Sequence, residues 1–186
     1  MFLYDTVGSF FIPGNNINLT TSNQVGNIYH AVSSDENRIF FGLQSAGYKD
    51  GTYPSNITEQ TFPGVHSDIG NAYGKDDQGK LNDLGNIPLQ WMYNMAVQSG
   101  VPLGPLPSEN IPSKDVQNAY DSYVAAKSAF ETAPDSATKS SYDAAYQNLK
   151  DNYIHNEAKF FEEGNVRNTY YPNGLPKLNM QPKNQF

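Results

Sequence analysis

The stretch Phe2–Gly8, "FLYDTVG", is a short apolar run that takes on a carboxylate at Asp5 and breaks at Gly8. A run of this length closed by glycine predicts a buried strand over Phe2–Val7 with an acid at its C-terminal end. On this reading the chain is already inside a sheet at its first residues. Outward from it, "FIPGNNINLTTSNQVGN" (11–27) is rich in Pro, Gly and Asn and predicts loop. "IYHAVSSDENR" (28–38) follows, and its Ile28, Tyr29, Ala31 and Val32 fit a short helix or a strand equally well. "QTFPGVH" (60–66) then predicts a further short apolar element running directly into the glycine-containing stretch "FPGVHSDIGNAYG" (62–74).

The second half changes character. In "LGNIPLQWMYNMAV" (84–97), Leu89, Met92, Tyr93 and Ala96 share one helical face with Trp91 beside them, and the helix stops at Ser99 and Gly100. "VPLGPLPSENIPS" (101–113) marks a linker or a change of subdomain. Beyond it, Val116, Tyr120, Tyr123 and Phe130 keep helical spacing after a Ser113 cap. Tyr142, Ala145, Leu149 and Tyr153 do the same after an Asp135 cap. The pair predicts an αα-hairpin turning at Pro134. The tail from Pro172 predicts poor order.

Composition narrows the function classes. The 186 residues suffice for a core, and 19 acidic against 12 basic residues give a formal charge of −7 with no basic cluster, which disfavours a nucleic-acid partner. With no cysteine there is neither disulfide framework nor thiolate nucleophile. No apolar run approaches a membrane span, and no signal peptide is visible after Met1. Hydrophobic residues make up only 38%, but 13 Tyr and 10 Phe carry much of that mass, so a sugar-stacking, carbohydrate-binding surface is one alternative to be weighed.

Of the three histidines, His66 stands in the glycine-containing stretch, where a mobile backbone can aim an imidazole for general-base work or simply form a polar turn. Asp5 is either an acid partner or a turn carboxylate bonding the amides of Val7 and Gly8. Asp68 either orients His66 or caps the following turn. His30 and Glu36 read as packing and a local ion pair with Arg38, and His155 is a reserve candidate for the base. "HSD" and "KDDQG" lack the ligand count of a calcium loop, so neither metal nor cofactor is expected.

Four stretches in order, "YDTVGSFFIPGNN" from Tyr4, "YHAVSSDENR" from Tyr29, "FPGVHSDIGNAYG" from Phe62 and "PLQWMYNMA" from Pro88, resemble a bacterial family of α/β-hydrolase domains that includes type VI secretion lipase effectors. The likeness covers Met1–Leu103 and beyond Pro105 is confined to "NYIHNEA". It implies a doubly wound α/β serine hydrolase acting on phospholipid or other ester bonds, with Asp5 and His66 as acid and base of a Ser-His-Asp triad and Asp68 and His155 in supporting places. The chain order acid then base agrees with that of such enzymes.

The nucleophile is the departure from the pattern. A G-x-S-x-G elbow should precede the acid, yet Asp5 is the fifth residue, no G-x-S-x-G occurs in the chain, and Ser9 lies beside the acid without the required turn. The expectation is therefore the C-terminal portion of a doubly wound α/β-hydrolase sheet (1–104), followed by an αα-hairpin appendage (105–171) and a disordered tail (172–186). Such a chain is a hydrolase fragment, inactive alone, with an open edge and an apolar face at its first strand. The competing expectation is a non-catalytic binding or assembly module whose aromatic helical appendage docks on a secretion-machine component or makes peripheral contact with a membrane. By family, the chain is expected to be made in the bacterial cytoplasm and delivered by type VI secretion to a target cell. A complementing N-terminal half is the partner that the first expectation requires.

Overall fold

The computed structural model describes residues 1–7, 25–38, 41–48, 50–74, 77–81, 83–156 and 169–170. Three parallel strands form the principal sheet in the order β1 (Phe2–Tyr4), β2 (Ile28–Ser33), β4 (Ile57–Phe62). A separate parallel pair joins β3 (Leu43–Gln44) to β5 (Thr169–Tyr170). Four helices accompany them: α1 (His66–Ile69), α2 (Asn86–Gln98), α3 (Lys114–Thr132) and α4 (Ser136–Asn152). The fold is mixed α/β with a small parallel sheet and several helices.

The ambiguous stretch 28–38 is settled by its neighbours. β2 lies between two strands and is covered on both faces, so nearly every residue is buried and the alternation that would have marked it as a strand is absent. Tyr29 and Ala31 face the larger core, with Phe62, Met92, Val116, Tyr123 and Leu149, while Ile28 meets Ala46 and Ile57 on the other side. Burying these side chains supplies about 25 cal/mol per Å² of apolar area removed from water.

Two expectations about the first strand need correction. It ends at Tyr4 rather than Val7, because Asp5 takes a positive φ of 37° that turns the chain out of the ladder. It is also not buried throughout: Phe2 and Tyr4 are 39% and 36% exposed, since among the described residues only one side of β1 carries a partner strand. Phe2 stacks on Tyr29, whose ring meets Trp91 edge-on.

α2 ends where expected, with Ser99 closing it and Gly100 at a φ of 80°. Its buried residues are Ile87, Met92 and Ala96, with Asn86 and Pro88, whereas Leu89, Trp91 and Tyr93 are half-buried. Ser113 accepts a hydrogen bond from the Val116 amide, and Asp135 accepts from those of Ala137 and Thr138, so both helix caps stand as the sequence implied. α3 and α4 pack through a ladder of rings: Tyr123 against Tyr142 and Tyr146, and Phe130 stacked on Tyr142. The tail 172–186 lies outside the described residues.

Candidate active site

Because β1, β2 and β4 are parallel, their C-terminal ends open on one edge of the sheet, and the segment after each delivers a polar group there. After β1 comes Asp5, after β2 come Ser33–Glu36, and after β4 comes the turn Pro63–Val65 leading into α1. His66 is thus the first residue of a short helix rather than part of a free glycine loop, which corrects the sequence expectation. The turn needs its glycine: Gly64 has a φ of 126°, and a Cβ there would sit 2.8 Å from that of Asp68.

Asp5 and His66, 61 positions apart, meet with Oδ2 to Nδ1 at 2.8 Å. The carboxylate can only accept, so Nδ1–H donates and Nε2 is left to take a proton. The other carboxylate oxygen, Oδ1, accepts the Ser33 amide at 2.8 Å. Asp5 is thus a buried carboxylate that reaches across to His66 and to the end of β2; Gly8 lies outside the described residues. Asp5 is 1% exposed and the His66 side chain 31%, so one end of the pair is embedded and the other faces out.

The surroundings hold this pair from three sides. Glu36, fully buried, accepts from the His66 amide at 3.2 Å, from the Arg38 amide at 2.8 Å and from two guanidinium nitrogens of Arg38 at 2.7 and 3.0 Å. Burial alone would push the Glu36 carboxyl up, but its hydrogen bonds with Arg38, the charge there and the His66 amide bring it below the usual range. The ion pair expected from sequence is present, and through Glu36 it also holds the His66 amide. Phe41 meets the His66 ring edge-on at 5.1 Å and carries the Arg38 guanidinium over its face at 3.5 Å. Asp35 ties the β4 turn to the helices, accepting the Gly64 amide at 2.8 Å and the hydroxyl of Tyr146 on α4. Burial and the Asp35 charge push the Tyr146 phenol up, so it stays protonated and donates.

Asp68 does not orient His66. It accepts the Val65 amide at 3.0 Å, which caps α1, and the Nδ1 of His155 at 2.6 Å together with the His155 amide at 3.2 Å. Burial outweighs these bonds and holds the Asp68 carboxyl above its ordinary value. His155, the reserve candidate for the base, is 1% exposed, stacked under Tyr73 at 3.8 Å, and its Nε2 is buried with no hydrogen-bond partner among the described residues. A ring so enclosed cannot meet a substrate without rearrangement.

Sequence reasoning missed one pairing. His30 and Glu59 face each other across β2 and β4 in direct register, with Nδ1 to Oε2 at 2.9 Å. The signal lay in two polar residues within apolar strands, but nothing in the chain fixes their register. Among the described residues no cluster of His, Cys, Asp and Glu could hold a metal ion, and no helix is long and apolar enough to cross a membrane.

An aspartate–histidine pair sits at the carboxyl edge of the parallel sheet of this mixed α/β protein, the carboxylate embedded and the imidazole about a third exposed. The chain belongs to the family of type VI secretion system phospholipase effectors described as the Tle1-like catalytic domain, whose model matches residues 1–95. The match takes in all three strands of the principal sheet and both Asp5 and His66, and leaves α3 and α4 outside it. The chain is similar, at 28% identity and a TM-score of 0.47, to the crystal structure of an uncharacterized protein from Pseudomonas aeruginosa, covering 64% of this chain and 18% of that one. No curated protein matches the chain.

Proposed function

We propose that Asp5 and His66 are the acid and base of a Ser-His-Asp triad in a phospholipase effector, and that the serine is supplied by a segment outside this sequence. The observation that carries this reading is the 2.8 Å contact between Asp5 Oδ2 and His66 Nδ1 at the carboxyl edge of the sheet. Asp5 stays ionised and fixes the tautomer; His66 Nε2 takes the serine proton as Oγ attacks the ester carbonyl, then returns it to the leaving alcohol, and a water repeats the cycle to release the acid. Family membership supports a lipid ester as substrate and delivery into a target cell. In this reading residues 1–104 are the C-terminal part of an α/β-hydrolase domain, and 105–171 are an appendage built on an αα-hairpin.

The absence of a G-x-S-x-G motif and the open side of β1, with Met1, Phe2 and Tyr4 over a third exposed, are both accounted for if a further parallel strand bearing the elbow packs there. The test joins an upstream segment of a related enzyme, carrying its serine elbow, to Met1. The chain alone is expected to hydrolyse neither nitrophenyl esters nor phospholipid vesicles above the buffer rate, and the chimera to do both. Activity in the chimera that survives His66→Ala would overturn the assignment. A stable monomer with no activity in any chimera would favour the non-catalytic binding module.

A further inference from the structure

Asp5 holds a backbone conformation that side chains with a Cβ seldom adopt, so something around it must over-determine the turn. The Asp5 amide donates to Ala31 O at 2.7 Å and the Gln44 amide to Thr6 O at 2.8 Å, which leaves the Thr6 amide, on the outgoing side of the turn. That amide donates to Nε2 of His30 at 3.1 Å. His30 is fully buried in the central strand. A backbone amide can only donate, so Nε2 must be the bare nitrogen, and the proton of the neutral ring must lie on Nδ1. Glu59 waits there at 2.9 Å, its carboxylate also held by the Ala46 amide at 2.7 Å, Ser45 Oγ at 2.9 Å and Tyr53 OH at 3.1 Å. The chain Glu59–His30–Thr6 thus has one arrangement of protons, and it ends one peptide unit beyond Asp5.

We infer that His30 is a positioning residue: fixed as the Nδ1–H tautomer by Glu59, it accepts the Thr6 amide, locks the Asp5 turn and so aims the Asp5 carboxylate at His66. The inference rests on Asp5 and His66 being the acid and base. It gives a second histidine besides His66 a part in the site, acting through the Thr6 amide. Reduced to its parts, one imidazole that must stay neutral sets the backbone from which the acid holds another.

The rings can be read directly, because the chain has only three histidines. Long-range 1H–15N spectra of the uniformly labelled full chain, at a pH where the rings are neutral, distinguish Nδ1–H from Nε2–H for each. In the unmodified chain His30 and His66 are both expected as Nδ1–H. In His30→Phe, which keeps volume and removes the acceptor, His66 should turn predominantly to Nε2–H, the tautomer a free histidine side chain favours, while His155 does not move. His30→Gln, whose carbonyl can take the Thr6 amide, should keep His66 as Nδ1–H. An Nε2–H tautomer at His30 in the unmodified chain, or an unchanged His66 in His30→Phe, overturns the inference and leaves the acid–base reading standing. An Nε2–H His66 in the unmodified chain overturns both. Should His30→Phe lose its fold, the Gln variant decides, since loss of Nδ1–H there also overturns the lock.

Discussion

Asp5–His66 and Asp68–His155 are the same pair of groups in the same contact, Oδ to Nδ1 at 2.8 and 2.6 Å, yet they are built for opposite ends. In the first the acid is buried and the imidazole is about a third exposed; in the second both partners are enclosed, at 1% and 0% side-chain exposure. The first leaves its imidazole partly open to solvent. The second seals Nε2 against Tyr73 and uses the carboxylate to join the cap of α1 to the segment after α4. The two pairs differ in burial, not in residue type.

The largest effect that can break this contrast is on turnover. In an active chimera, Asp5→Asn should lower kcat by about 10⁴, as when the tautomer-setting carboxylate of a triad is lost, and Asp68→Asn should cost far less. Equal losses would mean that the two pairs are not divided as the geometry divides them. On stability the order should invert. His155→Ala leaves the Asp68 carboxyl buried and half-satisfied and should cost about 3–5 kcal/mol by urea unfolding, and His66→Ala should cost less, because the space it leaves opens to solvent and lets water reach the Asp5 carboxyl.

Gly64 lies between the two pairs, two residues before His66 and packed on Asp68. Gly64→Ala combines a positive φ with a 2.8 Å approach to Asp68 Cβ, and should cost about 2 kcal/mol while disturbing both histidine rings in NMR spectra. A change felt at only one ring would show that the pairs move independently.

The smallest effect is on the pH dependence of unfolding, where the carboxyls should separate by sign. Glu59 is held below its ordinary value: burial pushes it up, but the hydrogen bonds from His30, the Ala46 amide and Ser45 outweigh it. Its contribution is therefore complete above the unfolded-state value near pH 4 and is lost as pH falls through the lower folded value. Asp68 is raised by burial, so the folded state holds that proton more tightly, and its contribution is lost as pH rises through the raised value. Glu59→Gln should flatten the acid limb of stability against pH, and Asp68→Asn should remove a decline on the rising side. Matching slopes in both variants would contradict the assignment.

The sequence by itself determined what is local. The Ser113 and Asp135 caps, the end of α2 at Ser99 and Gly100, and the presence of a strand leading into Asp5 follow from hydrogen bonds and backbone preferences within a few residues. Asp5 and His66 could be singled out by residue type, order and resemblance. Tertiary structure decided who pairs with whom. Asp68 is only two residues from His66, but positions two apart on a helix do not face each other, so it turns inward and finds His155, 87 positions away. His30 meets Glu59 because β2 and β4 pair in one register, and a slip of one residue would have sent them to opposite faces. Exposure, which separates the base from the buried look-alike, belongs to neither residue. It is set by what the rest of the chain packs on top of each ring.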